Sequence, residues 1–379
     1  MVILLGPRQS GKTWFCRHLS LPTKYFSWDD PAHRRLIVEN GTGLIEAAGL
    51  NQLADQKPVI VFDELHKFPG WKDFLKGFYD SWEERCHVLV TGSASLDAFS
   101  RGGDSLMGRY FPWHCDPFTW AEVLASGELG SAEEATTAWD ALLAFGGFPE
   151  PFLKRDGAFW RRWKNLRWKQ LFREDVRDLT RSLETQRMEI LGTLLLEQAG
   201  GQCNWTSLSN KLRTSQDTVR RWFSHLEALH TLFTVLPWSR NVSRSLLKEP
   251  KVYFTDWSWV ADPGARAENF VAGQLRATIH SWQDRGLGDF GLWYLRDKDQ
   301  REVDFLVSKD GQPWIALEVK KSETALSPHL GHFARQLGTA HNFQLVLDLP
   351  EVKANPFERD ATPLVVPARS FFRNWDLRA

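Results

Sequence analysis

The segment Gly6-Pro7-Arg8-Gln9-Ser10-Gly11-Lys12-Thr13 fits the pattern G-x-x-x-x-G-K-[ST] at every fixed position. It follows an apolar run at residues 2–5 and precedes an amphipathic stretch at 14–19, so it joins a strand to a helix. This context constrains the fold more than any other feature of the chain. Successive backbone N–H groups must wrap a phosphate, which calls for glycine where a Cβ would block the approach. The helix N-terminus adds partial positive charge. Lys12 is placed to reach the β and γ phosphates, and the Thr13 hydroxyl to ligate Mg²⁺. The expected ligands are therefore ATP and Mg²⁺, on an α/β domain with a buried parallel sheet.

A second run strengthens that expectation. Val59-Ile60-Val61-Phe62-Asp63-Glu64 is four apolar residues followed by two acids. A buried strand carrying Asp63 at its tip can hold Mg²⁺ and its water, while Glu64 polarises the attacking water as general base. An exposed acidic turn is the competing reading, and it weakens beside a phosphate loop. A third run, Val88-Leu89-Val90-Thr91-Gly92-Ser93, ends in small polar residues. Ser93, with Thr91 behind it, is the candidate γ-phosphate sensor, against a simple turn cap.

At 379 residues the chain is too long for one ordinary core, and 42% apolar composition suffices for several. Three regions separate: 1–150 with strands at 2–5, 59–62 and 88–91; a mostly helical 151–250; and a mixed α/β region, 251–379. Lys plus Arg and Asp plus Glu balance at 47 each, so overall charge points to neither nucleic acid nor membrane. Cys16, Cys86, Cys115 and Cys203 show no metal or disulfide spacing and fit a reducing compartment. No apolar run approaches the ~18 residues that span a bilayer, and no leader pattern opens the chain. A soluble, cytoplasmic protein is expected.

Residues 154–181 hold ten Lys/Arg against four acids, interleaved with Trp160, Trp163 and Trp168. Basic and aromatic residues together suit nucleic acid, but the helical spacing of the tryptophans favours a packed face. Residues 203–236 read as a helix-turn-helix followed by a strand: a first helix from Asn204 to Leu212, and a second from Thr218 to His230 capped by Ser215-Gln216-Asp217. A winged-helix unit describes this economically. Lys211, Arg213, Arg220 and Arg221 then face either a DNA backbone or, if the unit is a lid or protein contact, solvent.

Gly-Pro-Arg-Gln-Ser-Gly-Lys-Thr, Asp-Glu-Leu-His-Lys-Phe-Pro-Gly-Trp, Thr-Gly-Ser-Ala-Ser, Met-Gly-Arg-Tyr and Asp-Pro-Phe-Thr-Trp-Ala-Glu occur here in the order seen in one family. The chain resembles, over nearly its whole length, the AAA-type ATPases that carry a C-terminal domain of unknown function 4143. The resemblance implies an ATPase core, a helical middle with a winged-helix unit, and a C-terminal domain similar to restriction-endonuclease folds. It implies that Arg109 of Gly108-Arg109 acts on the γ-phosphate, in cis or across a homo-oligomer interface, against a structural salt bridge. His66 stands where the family often has glutamine, and the residues usual upstream of the first strand are missing. That leaves open whether the true N-terminus lies upstream.

The same resemblance points to Glu268, Asp304, Glu318 and Lys320 as a PD-(D/E)-x-K-like nuclease site, with Glu268, Asp304 and Glu318 as metal ligands. The residues themselves are consistent with this, since Glu318-Val319-Lys320 puts an acid and a lysine on one strand face. Two carboxylates can hold a hard cation that activates water, and a lysine can orient that water. Leu306 shares a face with Asp304, and Trp314 and Ala316 are expected to share one with Glu318, so the face is not merely solvated. Register is decisive. A two-residue Asp310-Gly311 hairpin pairs Asp304 with Leu317 and puts Glu318 on the wrong side, so the site requires an odd loop or a bulge. Two readings follow: an ATPase that regulates a nuclease-like module on DNA, or an ATP-dependent switch or scaffold whose C-terminal domain binds a protein or nucleic acid without cleaving it.

Overall fold

The computed structural model describes residues 1–92, 106, 108–176, 184–239, 249–359 and 362–375. The chain divides into two compact units: Met1–Asp116 with Ala228–His230, and Pro117–Glu227 with Thr231–Ala379.

The first unit is built on five parallel strands: β1 (Val2–Leu5), β2 (Thr23–Ser27), β3 (Val59–Asp63), β4 (His87–Thr91) and β5 (Phe111–His114). Their order is β2-β3-β4-β1-β5. The three strands expected from apolar runs are the interior ones, where both faces are covered and continuous Val/Ile/Leu sequence is favoured. Alternate residues feed two cores. Ile3, Leu5, Ile60, Phe62, Val88 and Val90 pack with Phe74 and Phe78 of the helix Trp71–Trp82 on one face. Leu4, Val59, Val61 and Leu89 pack with Cys16 on the other. Burial pushes the Cys16 thiol up to about 12, as suits a packing residue.

The second unit contains a seven-stranded mixed sheet, β12-β11-β10-β9-β8-β6-β7. Its strands are β6 (Leu232–Pro237), β7 (Lys251–Phe254), β8 (Phe290–Arg296), β9 (Glu302–Lys309), β10 (Gln312–Lys320), β11 (His341–Val346) and β12 (Leu364–Pro367). The long helix Pro263–Asp284 and the helix Ala368–Trp375 belong to the core on one face. Leu330 and Phe333 of the helix Pro328–Leu337 belong to a smaller core with Leu306 and Ala316.

The boundaries expected at 150 and 250 are not boundaries of these compact units. Trp120 and Trp139 meet edge to face at 5.2 Å, and Trp139 meets Phe270 of the long helix at 5.1 Å. The Trp257 indole donates to the Leu142 carbonyl at 2.8 Å. Helices on both sides of residue 150 thus bury their tryptophans in the same core as the C-terminal sheet. The middle region joins it too, because β6 pairs with β7 and, through Leu236 and Pro237, with β8.

The basic, tryptophan-rich helix Gly157–Gln170 is a packing element. Trp163 is buried, Trp160 donates to Ser258 at 3.0 Å, and Trp168 donates to Glu189 at 3.2 Å. Arg161, Arg162 and Lys169 are left on the exposed face.

In the hairpin β9–β10, Lys309 pairs with Gln312 across Asp310 and Gly311, a two-residue turn. Both turn residues have positive φ, 50° and 74°, which is why an Asp-Gly pair stands there. The register then shifts by one between Pro313 and Ile315, so that Ile315 faces Val307 and Leu317 faces Phe305. The bulge turns Trp314 away from the face where it was expected, into the core with Trp282 at 6.1 Å and Trp375 at 6.1 Å. Trp282 is fully buried and also meets Trp375 at 4.7 Å and Phe290 at 4.8 Å. Trp282→Ala should therefore lower unfolding free energy by about 3–5 kcal/mol; a urea midpoint unchanged from the parent would contradict this packing account.

Candidate functional site

The phosphate loop begins where β1 ends. Gly6 has φ 149°, and a Cβ there would lie 2.3 Å from the Cys115 carbonyl oxygen. The close approach comes from β5, since the Cys115 N–H donates to the Leu5 carbonyl at 2.7 Å. Gly11, at φ 97°, is the N-cap of the helix Lys12–Arg17. Lys12 is 7% exposed, and its ammonium donates to the carbonyls of Gly6 at 2.9 Å and Pro7 at 2.5 Å. Ser10 is buried, and its hydroxyl lies 3.6 Å from the Cys115 thiol. Arg8 and Gln9 complete the turn, Gln9 with a left-handed φ of 65°.

Asp63 is the meeting point of the site. Its carboxylate accepts from the hydroxyls of Thr91 and Tyr25, and from Thr13 at 3.3 Å. Three separate segments thereby converge on the acid that β3 carries at its C-terminal end. Burial, then the hydrogen bond to Asp63, raises the Tyr25 phenol far above its ordinary pKa, which keeps it a donor. The sequence suggested neither Tyr25 nor an Asp63 contact for Thr91. Ser93, the first-choice sensor, lies outside the described residues.

Glu64 follows in a left-handed conformation, φ 56°. Its carboxylate is 3.2 Å from the Lys67 ammonium and 3.8 Å from His66 Nε2. Lys67 also holds Asp29 at 2.8 Å. Burial lowers the His66 pKa, so the imidazole is biased toward its neutral form. Arg109 makes a two-point pair with Asp80, at 2.7 and 3.0 Å. This geometry favours the structural salt bridge over a γ-phosphate role.

The C-terminal residues meet on a different sheet. The shift at Trp314 extends the register so that Glu318 stands opposite Asp304 on one face. Asp304 Oδ2 accepts from the Val319 N–H at 2.8 Å, and Lys320 pairs with Glu318 at 2.8 Å. The other Glu318 oxygen is buried without a hydrogen-bond partner among the described residues. Burial and then the Asp304 charge push Glu318 up to about 7.

Glu268 is drawn into other contacts. Its Oε1 accepts from Lys251 at 3.0 Å and from Tyr253 at 2.6 Å. Lys251 is also 2.7 Å from Glu302 and 3.5 Å from Asp304. Among the described residues, no three His, Cys, Asp or Glu side chains are arranged to hold a metal ion together. The expected Glu268–Asp304–Glu318 ligand set is therefore not assembled, because Lys251 stands among the acids. Sequence reading missed Lys251, Tyr253 and Glu302. Their signal was alternation: Lys251 and Tyr253 share one face of an otherwise apolar strand, as do Glu302 and Asp304.

Residues 1–124 match the family model of the AAA domain. Residues 263–364 match that of a domain of unknown function (DUF4143), and 136–261 match a further one (DUF8612). The chain thus has the makeup of an AAA-type ATPase with a C-terminal DUF4143 domain. Its relatives include an uncharacterized protein of Mycobacterium bovis and one of Mycobacterium tuberculosis, each 25% identical over 341 residues, covering 86% of this chain and 71% of the relative. No helix among the described residues is long and apolar enough to cross a membrane.

Glu318 supplies a pH test of the C-terminal geometry. Its proton is held to about pH 7 in the folded chain, against an ordinary value of 4.5. The unfolded chain sheds this proton first, so its contribution to stability falls as pH rises through that window and stays lost above it. In Glu318→Gln the fall in unfolding free energy between about pH 5 and pH 8 should shrink by about 1–3 kcal/mol. Urea titrations at both pH values check this, and an equal fall in variant and parent would count against the buried Asp304–Glu318 pair.

Proposed function

We propose that this chain is a Mg²⁺-dependent ATPase whose nucleotide cycle regulates its C-terminal module, a nuclease-like site that acts on DNA. The observation that carries the ATPase reading is the convergence of Thr13, Thr91 and Tyr25 on Asp63, beside a loop whose lysine is held by main-chain carbonyls. Lys12 exchanges the Gly6 and Pro7 carbonyls for the β and γ phosphates. Thr13 and Asp63, already 3.3 Å apart, are the residues that would hold Mg²⁺. The ion supplies charge neutralisation on the phosphates. Glu64 orients and polarises the attacking water, with Lys67 fixing its carboxylate.

For the C-terminal module, the support is the bulge that sets Asp304, Glu318 and Lys320 on one face. Asp304 and Glu318 suit one hard cation. The helices Trp205–Leu212 and Gln216–Ala228, followed by the β6–β7 pair, have the element order of a winged helix. Asn204 caps the first helix by accepting from the Ser207 N–H at 2.8 Å, and Ser215 accepts from the Thr218 N–H at 3.2 Å. Lys211, Arg213, Arg220 and Arg221 are exposed on this unit, where they can meet a phosphate backbone. The Lys251 ammonium among the acids favours a second reading, a switch whose C-terminal site binds its partner without cutting.

Lys12→Ala should abolish ATP binding, whereas Glu64→Gln should bind ATP and lose at least 10²-fold in hydrolysis, the scale of a lost general base (roughly 10²–10⁴). Fluorescent-nucleotide binding and phosphate-release assays separate the two. Nuclease assays across DNA and RNA, with Mg²⁺ or Mn²⁺ and with or without ATP, decide the module. Cleavage by the parent that Asp304→Ala loses, with ATPase retained, supports the nuclease reading. Robust ATPase with no cleavage of any substrate supports the switch.

A further inference from the structure

Lys251 opens β7 and is only 3% exposed. A buried ammonium needs compensation, and here it has three carboxylates: Glu302 at 2.7 Å, Glu268 at 3.0 Å and Asp304 at 3.5 Å. Three carboxylates packed around one amine hold it as a charged ammonium. Tyr253, two residues along the same strand face, fixes the Glu268 oxygen that Lys251 touches. Arg296 takes the second Glu302 oxygen at 2.8 Å. This half of the acid cluster is closed by hydrogen bonds. The other half is open in one respect: Glu318 is only 7% exposed, and its Oε2 is buried without a hydrogen-bond partner among the described residues.

We propose that Lys251 is a built-in cation: its ammonium occupies the Glu268–Glu302–Asp304 half of the cluster and keeps a divalent ion out of it, leaving only the Asp304–Glu318 edge for one. This rests on reading the cluster as a metal-carboxylate centre. A fixed positive charge among those oxygens repels a second cation, and it already engages Glu302, Glu268 and Asp304 at 2.7, 3.0 and 3.5 Å. Lys251 is thus a specificity-determining residue, which sets how many ions the site takes.

The test is a Mn²⁺ titration of the full, nucleotide-free chain, with free Mn²⁺ read by electron paramagnetic resonance and folding checked by circular dichroism. Lys251→Met should bind one more Mn²⁺ per chain than the parent, and Lys251→Arg, which keeps the charge, no more than the parent. The added ion should disappear in Lys251→Met combined with Glu302→Gln. Should the methionine variant not fold, Lys251→Gln, whose amide still hydrogen-bonds the acids, carries the comparison. Equal Mn²⁺ counts in the parent and the neutral variants would overturn the proposal. The parent's own count judges the underlying reading separately. One ion lost in Glu318→Gln upholds a metal centre. No ion in the parent, with one gained in Lys251→Met, sinks that reading and leaves the role of Lys251 standing.

Discussion

A slip of one residue between antiparallel strands sends every later side chain to the opposite face, and the β9–β10 pair slips once, at Trp314. Much of the C-terminal unit depends on that step. Before it, the two-residue Asp310-Gly311 turn sets a register that would hide Glu318 from Asp304. After it, Glu318, Lys320 and Asp304 share a face. Trp314 itself joins the aromatic cluster around Trp282 and Trp375. The bulge therefore has two stabilised consequences, a packed indole on one side and a charged site on the other.

The N-terminal unit solves a related problem with parallel strands. Inserting β4 between β1 and β3 separates the phosphate loop from Asp63 by one strand and brings Thr91 to the acid between them. Tyr25 reaches the same carboxylate from the edge strand β2. The acid is held from several sides before any ligand arrives, a preorganised arrangement that lowers the cost of placing a cation there. In the C-terminal unit, by contrast, one lysine already answers three of the acids.

The interior strands β1, β3 and β4 were legible because burial on both faces demands unbroken apolar runs. The edge strands β2 and β5 were not. Thr23-Lys24-Tyr25-Phe26-Ser27 is half polar, and Phe111-Pro112-Trp113-His114 contains a proline that only an edge or bulge tolerates. Tyr25 was missed with its strand. The tryptophans at 160, 163 and 168 were rightly weighed toward packing, because helical spacing aligns them on one side. The grouping of the chain around residues 150 and 250 was not legible, since it depends on which distant tryptophans share a core.

By itself the sequence determined the phosphate loop, the Asp63–Glu64 strand tip, the interior strands and the two capped helices near residues 204–228. All of these are local, written in spacing, capping residues and continuous apolar runs. Tertiary structure decided which acids meet, because register and long-range charge pairing are properties of neighbouring strands and not of any one segment. Lys251 shows the difference most clearly. As a letter it is a lysine at the start of a short strand; in the fold it is the buried counter-charge of Glu268, Glu302 and Asp304.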